Sequence, residues 1–331
     1  MRSAAALALA LLLSGCSLPG ITGPARTAWA FDATGLEALH GRGLDGHGVT
    51  VAIVDTGIDP SHPEFAGTHL VAWADLANGR ADPYDADGHG SHVAALVAGQ
   101  SPLRGGAPGV GLIAVQVFAG DGTASDQRVA DGISFAVEHG ADIIGLSLGG
   151  GTFPILGTAS ENAAQAAVGK GVLVVAAAGN DGPNDQDVRS PASAKGVIAV
   201  GAVDAALKVA AFSSRGSDAS PIVSGLGLPR RAPDQKPEVV APGDAILSAW
   251  RDHGYAAASG TSMAVPFVVS ALALLLQAHP GVRPHDEAGV ETVKGWLAES
   301  AAPVAGAQRP HDPAAGYGLL QATRLVDRAS P

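Results

Sequence analysis

The chain has 331 residues, of which 47% are hydrophobic, 15% charged and 4% aromatic, and it contains one cysteine. The hydrophobic fraction argues against a disordered chain. The single cysteine excludes both an intramolecular disulfide and a multi-cysteine metal site. The formal net charge of -11 argues against a nucleic-acid-binding protein, because phosphate contacts require clustered cations.

The N-terminal segment has the features of an export signal. An unbroken apolar run at residues 4–13 is too short to cross a bilayer but has the length of a signal-peptide core. The run ends in Leu-Ser-Gly-Cys, which resembles a bacterial lipoprotein box. This resemblance implies a signal peptide over residues 1–15, a lipidated Cys16 and a tether over residues 16–30. An ordinary secretory signal with an incidental cysteine is the alternative.

After residue 30, short apolar runs alternate with helical patterns. The runs, mostly rich in β-branched residues, predict buried strands at residues 49–54, 112–118, 143–148, 172–178 and 197–203. The helical patterns predict helices at residues 89–98, 126–139, 158–170 and 262–278. This alternation predicts an α/β fold with a doubly wound, mostly parallel sheet and helices on both faces. We interpret residues 31–331 as one domain, because no second independent core is evident.

Three segments carry residue types that serve nucleophilic catalysis. Asp55 ends the first predicted strand in Val-Asp-Thr-Gly, His89 opens His-Gly-Ser-His, and Ser262 lies in Gly-Thr-Ser-Met-Ala-Val-Pro. A serine hydroxyl is a weak nucleophile near neutral pH and requires an adjacent base, a role that histidine can fill when an acid fixes its tautomer. Taken singly, each residue also has a structural interpretation as a turn cap, a hydrogen-bonded histidine or a helix N-cap.

Together, and in the order Asp, His, Ser, these segments resemble the subtilase family of serine proteases over about residues 36–276. That order is a known property of subtilisin. The resemblance implies that Asp55, His89 and Ser262 form a catalytic triad that hydrolyses peptide bonds through an acyl-enzyme. It also implies that Asn180, in Ala-Ala-Ala-Gly-Asn, donates to the oxyanion beside the Ser262 N–H. We expect Pro266 to lie within the first turn of the last long helix, where its missing N–H costs little.

The resemblance further implies a substrate-binding region made of two pocket walls and an edge segment that pairs with an extended peptide. Its residues are Gly122, Thr123, Ser147, Leu148, Gly149, Ala177 and Gly179. Arg189 aligns with the base of the pocket, where relatives often have a small residue. It is expected either to shorten the pocket or to favour an acidic residue before the scissile bond through a charge-assisted bond. The alternative is that its side chain points into solvent.

No cofactor is required for this chemistry, and we expect no metal in the site. Glu64 aligns with an aspartate of the family's tight calcium site, but the segment at residues 99–107 is shorter than the loop of that site. We therefore expect the tight site to be absent, while a weaker structural calcium elsewhere is left open. The spacing of His89 and His92 could serve a metal, but no third ligand motif accompanies it. His92 is interpreted as a structural hydrogen-bonding residue.

The sequence departs from the family pattern outside the triad, since Phe267 replaces a usual histidine and Gly145 a usual asparagine. Two other interpretations remain open. One is a catalytically inactive binding or scaffold lipoprotein with the same fold. The other is a sedolisin-type acid peptidase, although that class has glutamate where His89 stands. The complete triad favours an enzyme with a neutral-to-alkaline pH optimum.

We expect the partners to be polypeptide substrates and, through Cys16, a membrane, with no nucleic acid and a monomeric chain. The expected location is extracytoplasmic, on the bacterial cell surface or the periplasmic face of a membrane. Between Cys16 and Asp55 there are 38 residues, too few for the folding pro-domain that many relatives carry. A separate pro-domain is therefore not expected.

Overall fold

The computed structural model describes residues 27–150, 158–184, 188–216 and 230–329. The predicted signal peptide, the predicted lipidation at Cys16 and most of the predicted tether lie outside these residues.

A seven-stranded parallel sheet forms the centre of the protein. Its strands are β1 (Thr50–Asp55), β2 (His69–Asp75), β3 (Gly111–Gln116), β4 (Ile143–Leu146), β5 (Leu173–Ala177), β6 (Ile198–Val203) and β7 (Val239–Pro242). The spatial order is β2-β3-β1-β4-β5-β6-β7, and every neighbouring pair is parallel. The strands β4 to β7 are buried along their whole length, which explains their continuous apolar sequences. The predicted doubly wound parallel sheet is confirmed.

The order of strands places the functional region. Strands β2 and β3 lie on one side of β1, and β4 to β7 lie on the other, so the direction of winding reverses next to β1. In open parallel sheets, ligands gather at the carboxyl ends of the strands beside such a reversal. Asp55 is the last residue of β1 and therefore lies at this place.

Helices cover the sheet, and an antiparallel hairpin flanks them. The helices are α1 (Ala28–Thr34), α2 (Leu36–Gly41), α3 (His89–Ala98), α4 (Asp126–Glu138), α5 (Ala159–Gly169), α6 (Thr261–Ala278), α7 (Glu287–Ser300) and α8 (Ala322–Arg328). The hairpin consists of β8 (Ile246–Trp250) and β9 (Gly254–Ala258). The helices α3 and α6 pack against each other, and α4 packs against α5.

Helix α6 is the core helix of the protein. Every residue from Thr261 to Leu276 is buried, and the helix contacts β4, β5, β6 and β7. Among the described residues it is the helix long and apolar enough to resemble a membrane span, but 89% of that window is buried inside the protein. It begins at Thr261, so Pro266 lies beyond the first turn, and the expectation for this proline was wrong.

Candidate active site

The end of β1 and the start of α3 bring Asp55 and His89 into contact. His89 Nδ1 lies 2.7 Å from Asp55 Oδ1, and both side chains are buried. Since an ionised carboxylate only accepts, Nδ1 carries the proton and Nε2 is left as the basic nitrogen. Burial of the ring opposes protonation. The carboxylates of Asp55, Asp87 and Asp85 outweigh this effect and raise the pKa of His89 above its ordinary value.

Glycine allows the two segments to approach this closely. A β-carbon at Gly90 would lie 2.2 Å from the main-chain oxygen of Gly57, which no larger residue could accommodate without a shift of the backbone. The Gly90 N–H also donates to Thr56 Oγ1 at 2.8 Å. The glycine after His89 therefore serves the packing of α3 onto the turn that follows Asp55.

A second buried acid, Asp85, connects the same two segments. Its Oδ1 accepts from Thr56 Oγ1 (3.0 Å) and the Gly88 N–H (2.8 Å). Its Oδ2 accepts from the N–H and the hydroxyl of Ser91, each at 2.8 Å. Sequence analysis missed this residue. The available signal was an aspartate four residues before His89, a spacing that by itself suggests only a turn.

Ser262 is the second residue of α6, and it is bonded to the segment that follows β4. Its hydroxyl donates to the Ser147 oxygen, and the Ser147 hydroxyl donates to the Ser262 oxygen, both at 2.9 Å. The second bond has a clear cause. Pro266 lacks the N–H that would bond the carbonyl four residues earlier, so the Ser262 carbonyl is open to a side-chain donor.

The structure does not join Ser262 and His89 by a hydrogen bond, because the Ser262 hydroxyl bonds to Ser147. The two residues are nevertheless carried by α6 and α3, which pack together. Rotation of a serine side chain is a low-cost motion, and catalytic hydrogen bonds often form only in the substrate complex.

Asn180 follows β5 and is held by the start of α6. Its Oδ1 accepts from the N–H (2.8 Å) and the hydroxyl (3.0 Å) of Thr261. These bonds leave the Nδ2 amide as the donor group of the side chain. Nδ2 lies near Gly260, where a β-carbon would approach it to 3.2 Å. The N-terminal end of the α6 dipole adds to a local preference for negative charge.

Arg189 lies between the two predicted pocket walls. A β-carbon at Gly179 would lie 2.6 Å from Arg189 Cγ, and one at Gly149 would lie 3.1 Å from Arg189 Cβ. The guanidinium Nε donates to Asp181 Oδ2 at 2.7 Å, and 29% of the Arg189 side chain is exposed. The structure therefore places the stem of Arg189 against Gly149 and Gly179 and pairs its guanidinium with Asp181.

The other predicted substrate-binding residues lie at strand ends and in one turn. Leu148 and Ala177 are buried. Gly122 has φ +76°, in a turn closed by the Ala119 N–H on the Thr123 oxygen at 2.8 Å. This turn follows β3 and lies at the surface.

His92 has a structural environment. Its Nε2 faces the main-chain oxygens of Ile246 (3.0 Å) and Ala256 (3.2 Å) and ties α3 to the hairpin β8–β9. Burial, together with the nearby His89, lowers the pKa of His92 to about 3, so its ring is neutral and donates from Nε2. Among the described residues, no group of three or more His, Cys, Asp or Glu side chains is arranged to hold a metal.

Glu64, the residue that the resemblance aligns with an aspartate of a tight calcium site, lies in the short 3-10 helix Pro63–Phe65. The side chain is buried, and Oε1 accepts from the Leu103 N–H (2.9 Å) and the Tyr255 hydroxyl (3.2 Å). Burial raises the pKa of Glu64. The carboxyl group thus binds the segment at residues 99–107 directly, through the Leu103 N–H.

Two departures from the family pattern are explained by packing. The Phe267 ring meets the Phe31 ring of α1 edge to face, with centroids 5.1 Å apart, so it secures the N-terminal helix to α6. A β-carbon at Gly145 would lie 3.0 Å from Ile53 Cδ1, so glycine suits the tight spacing of β4 and β1.

Comparison with known proteins gives concordant matches. A sequence profile described as the subtilase family matches residues 46–318. The chain is 37% identical over 249 residues to subtilisin from Bacillus pumilus, covering 73% of this chain and 82% of that protein. Two solved structures are similar at 30% identity. A cold-adapted subtilisin-like serine proteinase has a TM-score of 0.67 and is matched over 84% of this chain and 90% of its own. The prenylagaramide maturation protease PagA has a TM-score of 0.69, with 89% and 98% covered.

Proposed function

The chain belongs to the subtilase family of serine proteases, and from this we propose that it is an endopeptidase with Asp55, His89 and Ser262 as its catalytic triad. The observation that carries the proposal is the buried hydrogen bond from His89 Nδ1 to Asp55 Oδ1, at 2.7 Å. It fixes the tautomer in which Nε2 can take a proton. The raised pKa of His89 makes that nitrogen a better base than an ordinary imidazole.

The proposed reaction begins when the Ser262 hydroxyl turns from Ser147 to His89. Ser262 Oγ then attacks the substrate carbonyl while its proton passes to His89 Nε2. The Asn180 Nδ2 amide and the Ser262 N–H donate to the oxyanion. His89 returns the proton to the leaving amine, which leaves the acyl group on Ser262 Oγ. Water, deprotonated by His89, attacks the ester and regenerates the free serine.

A fluorophosphonate probe tests this function directly. We expect the folded protein to be labelled on Ser262 and to cleave unfolded casein. The Ser262→Ala variant is expected to lose both properties. Ser270→Ala is a matched control, because Ser270 lies on the same helix and its buried hydroxyl has no hydrogen-bond partner among the described residues. A folded wild-type protein that neither reacts nor cleaves would support the inactive scaffold instead.

Membrane attachment through Cys16 is a second part of the proposal, and it rests on the sequence pattern at residues 13–16. Acyl chains supply membrane affinity through their buried methylene groups. Because Cys16 is the single cysteine, an alkyne-labelled fatty acid that is esterified in a diacylglyceryl thioether can be assigned to it. We expect Cys16→Ala to lose the label and to leave the membrane fraction. An unlabelled wild-type protein in the soluble extracytoplasmic fraction would indicate an ordinary secretory signal.

We also propose that the activity needs no tight calcium. The support is the use of Glu64 as a hydrogen-bond acceptor for Leu103 and Tyr255. Thermal unfolding of Ser262→Ala with EDTA and with calcium chloride tests this, since that variant is not expected to digest itself. We expect the same midpoint in both. A large rise with calcium would show a cation site that these contacts do not reveal.

A further inference from the structure

We infer that Arg189 and Asp181 close the substrate pocket, so that the protease cleaves after small residues such as glycine, alanine or serine. The inference rests on the proposed function, because it concerns the pocket beside the proposed nucleophile. It also selects between the two roles that the sequence allows for Arg189, a shortened pocket and the binding of an acidic side chain.

The backbone around Arg189 forms a floor that is attached to both walls. The Arg189 N–H donates to the Ala178 oxygen at 2.8 Å, on the wall that follows β5. The Gly150 N–H of the opposite wall donates to the Ser190 oxygen at 2.9 Å. Since the N–H of Arg189 and the carbonyl of the next residue, Ser190, are both held by these bonds, the Cα of Arg189 has a fixed position between Ala178 and Gly150, and its side chain starts between the walls.

The aliphatic part of Arg189 occupies the space that a bound side chain would need. A β-carbon at Gly179 would lie 2.6 Å from Arg189 Cγ, and one at Gly149 would lie 3.1 Å from Arg189 Cβ, so both walls touch the arginine stem. Glycine on both walls normally leaves room for a large side chain between them. Here the methylene groups of Arg189 take that room, so an aromatic residue before the scissile bond would have to displace them.

The charge of Arg189 is already matched by Asp181. Its Nε lies 2.7 Å from Asp181 Oδ2, and the pair is at the pocket edge, with 29% and 51% of the two side chains exposed. An acidic substrate side chain would approach the Asp181 carboxylate together with the guanidinium. The pair therefore indicates that Arg189 excludes large substrate side chains by filling the pocket. It argues against the binding of an acidic substrate side chain by Arg189. It also holds the arginine head in place, so the stem remains in the slot.

This inference can be tested with peptide nitroanilides that differ only in the residue before the scissile bond. We expect the wild-type kcat/KM for alanine to exceed that for phenylalanine and for glutamate by about tenfold or more, as one methylene group in a pocket is worth ~10–200-fold. Arg189→Gly is expected to raise the phenylalanine value at least about tenfold relative to the alanine value. Asp181→Asn, which keeps the stem but weakens its anchor, is expected to give a smaller rise.

Lys195→Ala is the matched control, because Lys195 is an exposed cation that follows Arg189 in the chain and pairs with Glu287. It should keep the wild-type ranking. All rates are divided by the concentration of active sites, which is measured by titration with a fluorophosphonate. A labelled wild-type enzyme that prefers phenylalanine overturns the inference and leaves the proposed function intact. A preference for glutamate that Arg189→Gly abolishes also overturns it. Absence of labelling in the wild type contradicts the proposed function itself.

Discussion

The Asp85 carboxylate accepts two hydrogen bonds from Ser91, one from its N–H and one from its hydroxyl, each at 2.8 Å. The other Asp85 oxygen accepts from Thr56, directly after Asp55. A buried acid therefore joins the turn that carries Asp55 to the first turn of the helix that begins with His89. The alignment of these two residues depends on a group that is hydrogen-bonded to neither of them.

We expect Asp85→Asn to lower kcat by about tenfold or more at a nearly constant KM, because misplacement by ~1 Å can cost ~10² in rate. An amide has one acceptor oxygen and would direct its NH₂ at N–H donors, so buried groups lose partners. The free energy of unfolding should fall by about 1–3 kcal/mol. Steady-state kinetics on titrated sites and urea unfolding measure the two effects.

Asp75→Asn is the matched control for Asp85→Asn. Asp75 is also buried and also caps a turn, accepting from the N–H groups of Ala77, Asn78 and Arg80, but it is the last residue of the edge strand β2. The Asp75→Asn variant should have a lower free energy of unfolding and an unchanged kcat per titrated active site. Asp85 also helps to raise the pKa of His89. Of these two variants, therefore, Asp85→Asn alone should move the acid limb of the pH–rate profile to lower pH. Equal rates in the two variants would leave Asp85 a purely structural role.

Asn180→Ala should lower kcat with little change in KM. Both Thr261 bonds go to Oδ1, so the amide Nδ2 is the group left to donate to an oxyanion, which exists only along the reaction path. The typical loss for such a donor is ~10²–10³ in kcat, a magnitude that comes from the subtilisins themselves. The control is Asn78→Ala, which removes an exposed amide bonded to Tyr84. A change confined to KM would argue that Asn180 binds the substrate in its ground state.

The sequence predicted the central strands of the sheet because both of their faces are buried. Strands buried on both faces have continuous apolar sequences, which are recognisable without a structure. The sequence did not predict β2 or β7. The strand β2 is an edge strand with His69 and Val71 exposed, and β7 has only four residues, Val239–Pro242. At both places, pairing with a neighbour defines the strand more than composition does.

The residues of the candidate site that lie in short local motifs were predicted from the sequence. The contacts between segments that are distant in the chain were not. The positions of Asp55, His89 and Ser262 follow from short motifs at the ends of elements. The reciprocal bonds between Ser147 and Ser262 join residues 115 apart in the chain, and no local pattern indicates them. The partnership of Arg189 with Asp181 likewise depends on the hydrogen bonds that hold Arg189 to Ala178 and Ser190 to Gly150.

The pH dependence of the rate should follow His89. Its neutral form is the base, so kcat/KM should rise as the pH increases through the raised pKa of His89. Asp87→Asn removes one negative charge that favours the imidazolium and keeps an oxygen for the His89 N–H, which lies 3.2 Å from Asp87 Oδ1. The pKa should then be lower and the acid limb should move to lower pH. Asp131→Asn, an exposed change on α4, should leave the limb in place. A shift to higher pH in Asp87→Asn would contradict the assignment of His89 as the base.

Glu64 should give the stability of the protein a pH dependence of unusual sign. Burial raises its pKa above the ordinary value of 4.5, so the folded protein binds this proton more tightly than the unfolded chain does. The contribution of Glu64 to stability is therefore complete below about pH 4.5 and is lost as the pH rises through the folded-state pKa. Glu64→Gln keeps an acceptor for the Leu103 N–H and the Tyr255 hydroxyl but carries no charge.

Urea unfolding of Glu64→Gln between pH 4 and 8, with Ser262→Ala as the common background, measures this effect. The free energy of unfolding of Glu64→Gln relative to its parent should increase with pH through the window above about pH 4.5 and then level off. Glu299→Gln, which removes an exposed carboxylate paired with Arg328, controls for the loss of one charge. If the difference instead decreases as the pH rises, the ionised carboxylate stabilises the fold, and the bonds from Leu103 and Tyr255 outweigh the cost of burying the charge.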